Sequence, residues 1–153
     1  MILSAEGEFR LDQEADTARL GAAVAKALGR HEAICLTGPL GAGKSTLARG
    51  LIRALAGEHE EAPSPTFTLV HTYETRAFPV AHFDLYRVEA AAELAELGLD
   101  EALADGAAVI EWAEKLGHHL PADRLDIDLV IDGEARRARL TPHGAWEERP
   151  LEF

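Results

Sequence analysis

A glycine-rich turn between an apolar run and a helical stripe constrains this chain more than any other feature. Residues 33–46 read AICLTGPLGAGKST and contain the complete pattern G-x-x-x-x-G-K-[ST], spelled Gly38, Pro39, Leu40, Gly41, Ala42, Gly43, Lys44, Ser45. A loop that bends around a phosphate chain must turn tightly and aim its backbone N–H groups inward, which side chains at Gly41 and Gly43 would obstruct. Lys44 then reaches the β- and γ-phosphates, and Ser45 offers a hydroxyl to Mg²⁺. The helix that starts here adds unpaired N–H groups and the positive end of its dipole. Leu40, Gly41, Ala42, Gly43, Lys44, Ser45 and Thr46 are therefore the expected nucleotide-binding residues. The context agrees: Ile34, Cys35 and Leu36 read as a buried strand, and Leu47, Ala48, Leu51, Ile52 and Leu55 as a helix stripe.

The rest of the chain alternates strand and helix signals around this unit. Residues 2–11 read as an edge strand, and Asp12 as the N-cap of a helix with Glu14 and Asp16 in its first turn. Leu20, Val24 and Leu28 line that helix and Gly29 ends it. After the second helix, ending near Gly57, comes an irregular link, EHEEAPSP. TFTLVHTY at 66–73 alternates and predicts a strand with Phe67, Leu69, His71 and Tyr73 on one face. Strands are further expected at 80–83, closing on Asp84, and at 107–110, closing on Glu111. Helices are expected at 89–97 and 100–105. Leu125, Ile127, Leu129 and Ile131 form an alternating strand that turns at Asp132-Gly133 and returns over 135–141, leaving 142–153 as a tail. At 153 residues, without repeats or a convincing boundary, the chain reads as one domain. The expected fold is a single α/β P-loop domain, with a mixed central sheet, helices on both faces and a C-terminal β-hairpin.

Three strands break where chemistry can use them, at Gly38, Asp84 and Glu111. Ligands of open α/β sheets bind beyond the carboxyl ends of the strands, so these endings can share one crevice. Nucleotide hydrolysis wants acidic groups beside such a loop to hold Mg²⁺ and position water. Lys44, Asp84 and Glu111 are the expected catalytic residues, and Ser45, Asp84 and Glu111 the expected metal ligands, with ATP as substrate. His82 has no partner at zinc-like spacing and reads as a hydrogen-bonded histidine, either of the core or standing behind a ligand of the site. His59, His118 and His119 read as solvated, and Trp112 as a packing residue at the rim of the crevice. Arg136, Arg137 and Arg139 read as a solvated hairpin face or, alternatively, a phosphate or partner contact.

With 27 acidic against 15 basic residues the net charge is -12, which disfavours a broad grip on nucleic acid. One cysteine allows no internal disulfide, and no stretch approaches the ~20 apolar residues of a membrane span. A cytoplasmic location is expected.

Taken together, LGAGKST at 40–46, SPTFTLVHTY at 64–73, HFDLYR at 82–87, AELAELGLDE at 92–101 and VIEWAEKL at 109–116 resemble the TsaE/YjeE family, bacterial ATPases required for the threonylcarbamoyladenosine modification of tRNA. The resemblance implies a switch-like loop beside the γ-phosphate, carrying Ser64, Thr66 and Thr68. It implies that Asp84 and Glu111 are the acidic residues of a Mg-ATP site, with Trp112 nearby and Glu14 approaching the adenine side. It further implies slow ATP hydrolysis that depends on two sugar-kinase-like partner subunits, which together transfer threonylcarbamoyl to the adenosine beside the anticodon. The chain departs from the family in having Pro39 where Asp is usual and Ala113 where Pro is usual. A small-molecule or nucleoside kinase is the first rival, disfavoured because no arginine-rich segment of lid length is present. A nucleotide-sensing adaptor without turnover is the second. A GTPase is disfavoured by the lack of an Asn/Thr-Lys-x-Asp motif.

Overall fold

The computed structural model describes residues 2–153. The chain runs β1 (Ile2–Ser4), β2 (Gly7–Leu11), α1 (Glu14–Ala27), β3 (Ala33–Thr37), α2 (Lys44–Ala56), β4 (Val70–Tyr73), β5 (Val80–Asp84), α3 (Ala91–Glu96), α4 (Leu99–Asp105), β6 (Ala107–Glu111), β7 (Arg124–Asp132), β8 (Ala135–His143) and β9 (Pro150–Glu152). Seven strands form one sheet in the order β2-β8-β7-β3-β6-β5-β4, and β1 pairs with β9 in a separate ribbon. β3 is parallel to both β6 and β7, and β5 is parallel to β6. The β4–β5, β7–β8 and β2–β8 pairs are antiparallel, so the C-terminal hairpin is built into the mixed sheet.

The apolar run at 33–36 is continuous because β3 is covered on both faces. Ile34 and Leu36 enter a core beneath α1 and α2, whereas Ala33 and Cys35 enter a second core with Phe83, Ile110 and Leu116. β7 is covered on one face only, with Leu125, Ile127 and Leu129 buried and the alternate residues Asp128 and Val130 exposed. The alternation stops short of its sequence expectation at Ile131, which is exposed and sits opposite Arg136 instead of an apolar partner.

Four boundaries differ from the sequence expectation. The N-cap of α1 is Gln13, whose backbone N–H donates to the Asp16 carboxylate at 3.0 Å, while Asp12 accepts from Arg10 at 2.7 Å. The strand expected at 66–73 contains only β4. Its first half is a turn in which Leu69 adopts φ 69° and donates its N–H to the Pro65 carbonyl at 2.7 Å. Phe67 consequently stands in solvent. The helix expected from 89 is shortened to α3, with the Glu89 N–H donating to the Glu93 carboxylate at 3.1 Å just ahead of it. The hairpin turn falls on Gly133 and Glu134, because Asp132 still pairs with Ala135 and its carboxylate accepts from Arg137 and Arg10. Gly133 takes φ 63° at the first central position, as a II′ turn requires.

Residues 144–152 return to the body of the molecule. Trp146 is fully buried, and Arg149 donates two hydrogen bonds to the Glu32 carboxylate, at 2.6 and 2.8 Å. Among the described residues, no helix is long and apolar enough to cross a membrane.

The two helices flanking the glycine loop touch backbone to backbone. A Cβ on Gly50 of α2 would strike the Ala18 carbonyl of α1, and one on Gly21 would strike the Leu47 carbonyl. Alanine at a helix interior position is ordinarily favoured over glycine by about 1 kcal/mol. Here Gly50→Ala is expected to lower the melting temperature, because the clash with Ala18 outweighs that gain; thermal denaturation checks the sign.

Candidate functional site

Because β3, β6 and β5 are adjacent and parallel, their carboxyl ends lie at one edge of the sheet. Leu36 is in register with Glu111, and Glu111 with Asp84. The loop after β3 therefore faces two carboxylates across a crevice of about 360 Å³. Leu40, Gly41, Gly43, Lys44, Ser45 and Thr46 line its loop side. Ser64, Thr66, Asp84, Tyr86, Glu111 and Trp112 complete the walls.

The loop's shape depends on three glycines in the left-handed region, Gly38 (φ 133°), Gly41 (φ 82°) and Gly43 (φ 108°). A Cβ on Gly38 would also collide with the Leu129 carbonyl of β7. Lys44 is only 5 % exposed, and its ammonium donates to the carbonyls of Gly38 at 2.6 Å and Pro39 at 2.9 Å. It also lies 3.9 Å from the centroid of the Trp112 ring. Burial pulls its pKa below the ordinary lysine value, opposed by the charges of Glu114, Glu111, Asp84 and Asp128.

Glu111 is 2 % exposed, and donors meet both of its oxygens. Ser45 Oγ donates to Oε1 at 2.7 Å, and His82 Nε2 lies 2.6 Å from Oε2. Ser64 Oγ lies 2.7 Å from Asp84 Oδ2 and 3.3 Å from Glu111 Oε2, so one hydroxyl spans the two carboxylates. Thr66 Oγ1 adds a 3.3 Å contact to Asp84 Oδ2, and the Tyr86 backbone N–H donates to Asp84 Oδ1 at 3.0 Å. Burial alone would push the Glu111 carboxyl up. The hydrogen bond and charge of His82, with the hydrogen bonds of Ser45 and Ser64, outweigh it and hold the pKa below the usual value.

A family model described as "Threonylcarbamoyl adenosine biosynthesis protein TsaE" matches residues 11–139. The chain belongs to the TsaE family. A Rickettsia bellii protein named tRNA threonylcarbamoyladenosine biosynthesis protein TsaE is 37 % identical, over 86 % of this chain and 92 % of its own length. A protein of the same name from Aquifex aeolicus is also 37 % identical, covering 87 % of this chain and 94 % of its own. The crystal structure of Bacillus subtilis YdiB superposes with a TM-score of 0.76 at 26 % identity, over 97 % of this chain and 91 % of that one.

To a cation, the described residues lining this TsaE-family crevice offer oxygen ligands, among them the Ser45 hydroxyl and the carboxylates of Asp84 and Glu111. Hard oxygen ligands suit Mg²⁺, which keeps several waters and is commonly held by one or two carboxylates plus substrate phosphates. The described residues contain no group of three or more His, Cys, Asp or Glu that could hold a metal ion.

Not every expected residue reaches the crevice. Thr68 is exposed and does not line it, because the turn at 66–69 directs the chain outward. Glu14 lines a neighbouring cavity of about 290 Å³, shared with Gly41, Gly43, Thr46 and Arg136. Ala42 is fully buried, and its N–H donates to the Pro39 carbonyl at 3.1 Å. Pro39 thus serves the loop through its carbonyl, and the N–H it lacks is not part of these contacts. Ala113 is packed in the core immediately after Trp112.

Two contacts were not anticipated. Tyr86 lines the crevice, placed by a turn onto Asp84 whose signal is the Asp two residues before it. Arg136 donates to the Gly41 carbonyl at 3.2 Å, while Arg137 and Arg139 meet Asp132 and Glu8 on the hairpin face. Only the first of the three arginines touches the loop, and nothing in the local sequence distinguishes it.

The depressed Glu111 pKa fixes the sign of a pH effect. Its ionised form is favoured by folding, so it contributes stability above the ordinary value of 4.5 and loses that contribution as pH falls through its lower folded value. Glu111→Gln should therefore be less stable than the parent near pH 7. The gap in melting temperature should narrow on acidification below about pH 4.5.

Proposed function

We propose that this chain is a Mg²⁺-dependent ATPase, slow alone and stimulated by partners, that supports formation of the threonylcarbamoyl group on the tRNA adenosine next to the anticodon. The observation that carries this reading is the convergence of the glycine loop, Ser45 and two buried carboxylates on one crevice. The relatives' names as tRNA threonylcarbamoyladenosine biosynthesis proteins give the pathway. A cytoplasmic location follows from that role.

In this reading the loop amides cradle the phosphates, and Lys44 leaves the carbonyls of residues 38 and 39 to reach the β- and γ-phosphates. Ser45, Asp84 and Glu111 hold Mg²⁺, which neutralises charge on the phosphates when bound. One carboxylate, Glu111 in the first instance, orients the attacking water, and Ser64 and Thr66 tie the switch-like segment to Asp84. Among the described residues, Lys44 is the only cationic side chain lining the crevice. Phosphoryl transfer gains about 10³ to 10⁵-fold from an arginine supplied at the transition state. Slow turnover alone and faster turnover with a partner fit that deficit.

The rim of the crevice is suited to a partner. Leu40 is 73 % exposed and Tyr86 half exposed, both lining the crevice, and Phe67, 79 % exposed, follows directly on Thr66 of its wall. Exposed apolar groups clustered at a site mark contact surfaces. The partners in this reading are the two sugar-kinase-like subunits of the transferase. The net charge of -12 accords with tRNA being held by them.

ATP hydrolysis measured with and without the two subunits tests the proposal: stimulation supports it, and binding without turnover in either case leaves only a nucleotide-sensing adaptor. Lys44→Ala is expected to abolish hydrolysis while the chain stays folded by circular dichroism. Glu111→Gln should retain ATP and lose about 10² to 10⁴-fold in single-turnover rate. Asp84→Asn should also weaken Mg-ATP binding if Asp84 is the closer metal ligand, which the same assays decide.

A further inference from the structure

His82 lies in the middle of β5 with no exposed surface, in register with Val109 of β6 and His71 of β4. Its Nε2 is 2.6 Å from Glu111 Oε2, and its Nδ1 is buried without a partner. An ionised carboxylate can only accept, so Nε2–H is the donor. A buried ring nitrogen left unpaired costs free energy, and an apolar side chain would fill this position without that cost. What the imidazole adds is one donor aimed at one oxygen of Glu111.

That donor matters because the terminal torsion of a glutamate is broad and roughly two-fold, so packing alone does not fix the carboxylate plane. His82 holds Oε2 from inside the sheet, which leaves Oε1 directed at Ser45 Oγ, 2.7 Å away. Ser64 does not duplicate it: its hydroxyl lies closer to Asp84, at 2.7 Å, than to Glu111 Oε2, at 3.3 Å. We infer that His82 is a positioning residue that orients the Glu111 carboxylate so that Oε1 faces Ser45 and the Mg²⁺ of a bound nucleotide. The inference rests on the Mg-ATP reading of the crevice and adds to it a residue that touches neither metal nor nucleotide.

Removing a hydrogen-bond partner of a ligating group generally costs about 10 to 100-fold in metal affinity or activity. The test uses the full chain, with ATP affinity measured by calorimetry across a Mg²⁺ titration and in EDTA, beside thermal melting. His82→Leu should raise the Mg²⁺ concentration needed for half-maximal ATP binding by about 10 to 100-fold and leave ATP affinity in EDTA unchanged. His82→Gln, whose amide nitrogen can occupy the place of Nε2, should restore most of the Mg²⁺ response. If His82→Leu does not fold, His82→Asn takes its place, since its shorter amide stays polar but does not reach Glu111. A Mg²⁺ requirement unchanged in the folded variant overturns the inference. So does equal impairment in the Leu or Asn variant and in His82→Gln, which would leave only a packing role. Absence of Mg²⁺-dependent ATP binding in the parent chain would instead overturn the reading of the crevice itself.

Discussion

The parallel register of β3, β6 and β5 is the constraint on which the rest of the site depends. It sets the last residues of three strands side by side, so that Glu111 stands between the glycine loop and Asp84. Nothing local to any one of these residues produces that arrangement. A buried carboxylate at such a position is tolerable only if its charge is met by donors, and Glu111 meets them in Ser45 of α2 and His82 of β5, with the Ser64 hydroxyl of the 64–69 segment shared between it and Asp84. The network that makes burial of Glu111 possible is therefore the same one that joins the loop, the sheet and the 64–69 segment.

The glycine loop is held on several sides. Gly38 abuts the Leu129 carbonyl of β7, and the position a Gly43 Cβ would take lies 3.3 Å from the Thr17 methyl of α1. Arg136 of β8 reaches the Gly41 carbonyl. The close crossing of α1 and α2 at Gly21 and Gly50 fixes the helix whose first turn carries Ser45 and Thr46. Glu32, at the entrance to β3, is clamped by Arg149 from the last turn of the chain, which also donates to the Ala27 carbonyl at the end of α1. A site that binds phosphates gains from such preorganisation, since little has to be ordered when ligand arrives.

Much of this was legible in the sequence. The loop is specified by side-chain requirements that act locally, and Asp84 and Glu111 end apolar runs whose parallel pairing is strongly favoured by the intervening helices. The turn at 66–69 was not legible, because TFTLVHTY satisfies a strand's alternation residue by residue. What departs from the strand is tertiary: Ser64 and Thr66 hydroxyls go to Asp84, and Leu69 adopts a positive φ. Arg136, Tyr86 and the burial of Trp146 are likewise set by partners distant in sequence, which single-sequence periodicity does not see. His82 was readable as a hydrogen-bonded residue of the core or behind a ligand of the site, but Glu111 was not readable as its partner, since the two lie 29 positions apart.

The central claim is that the three strand ends make one Mg-nucleotide site, and calorimetric titration of ATP into the parent chain tests it most directly. With Mg²⁺ present the account predicts saturable binding at one ATP per chain, weakened when EDTA replaces the metal. Absence of binding, or an affinity indifferent to Mg²⁺, would contradict it.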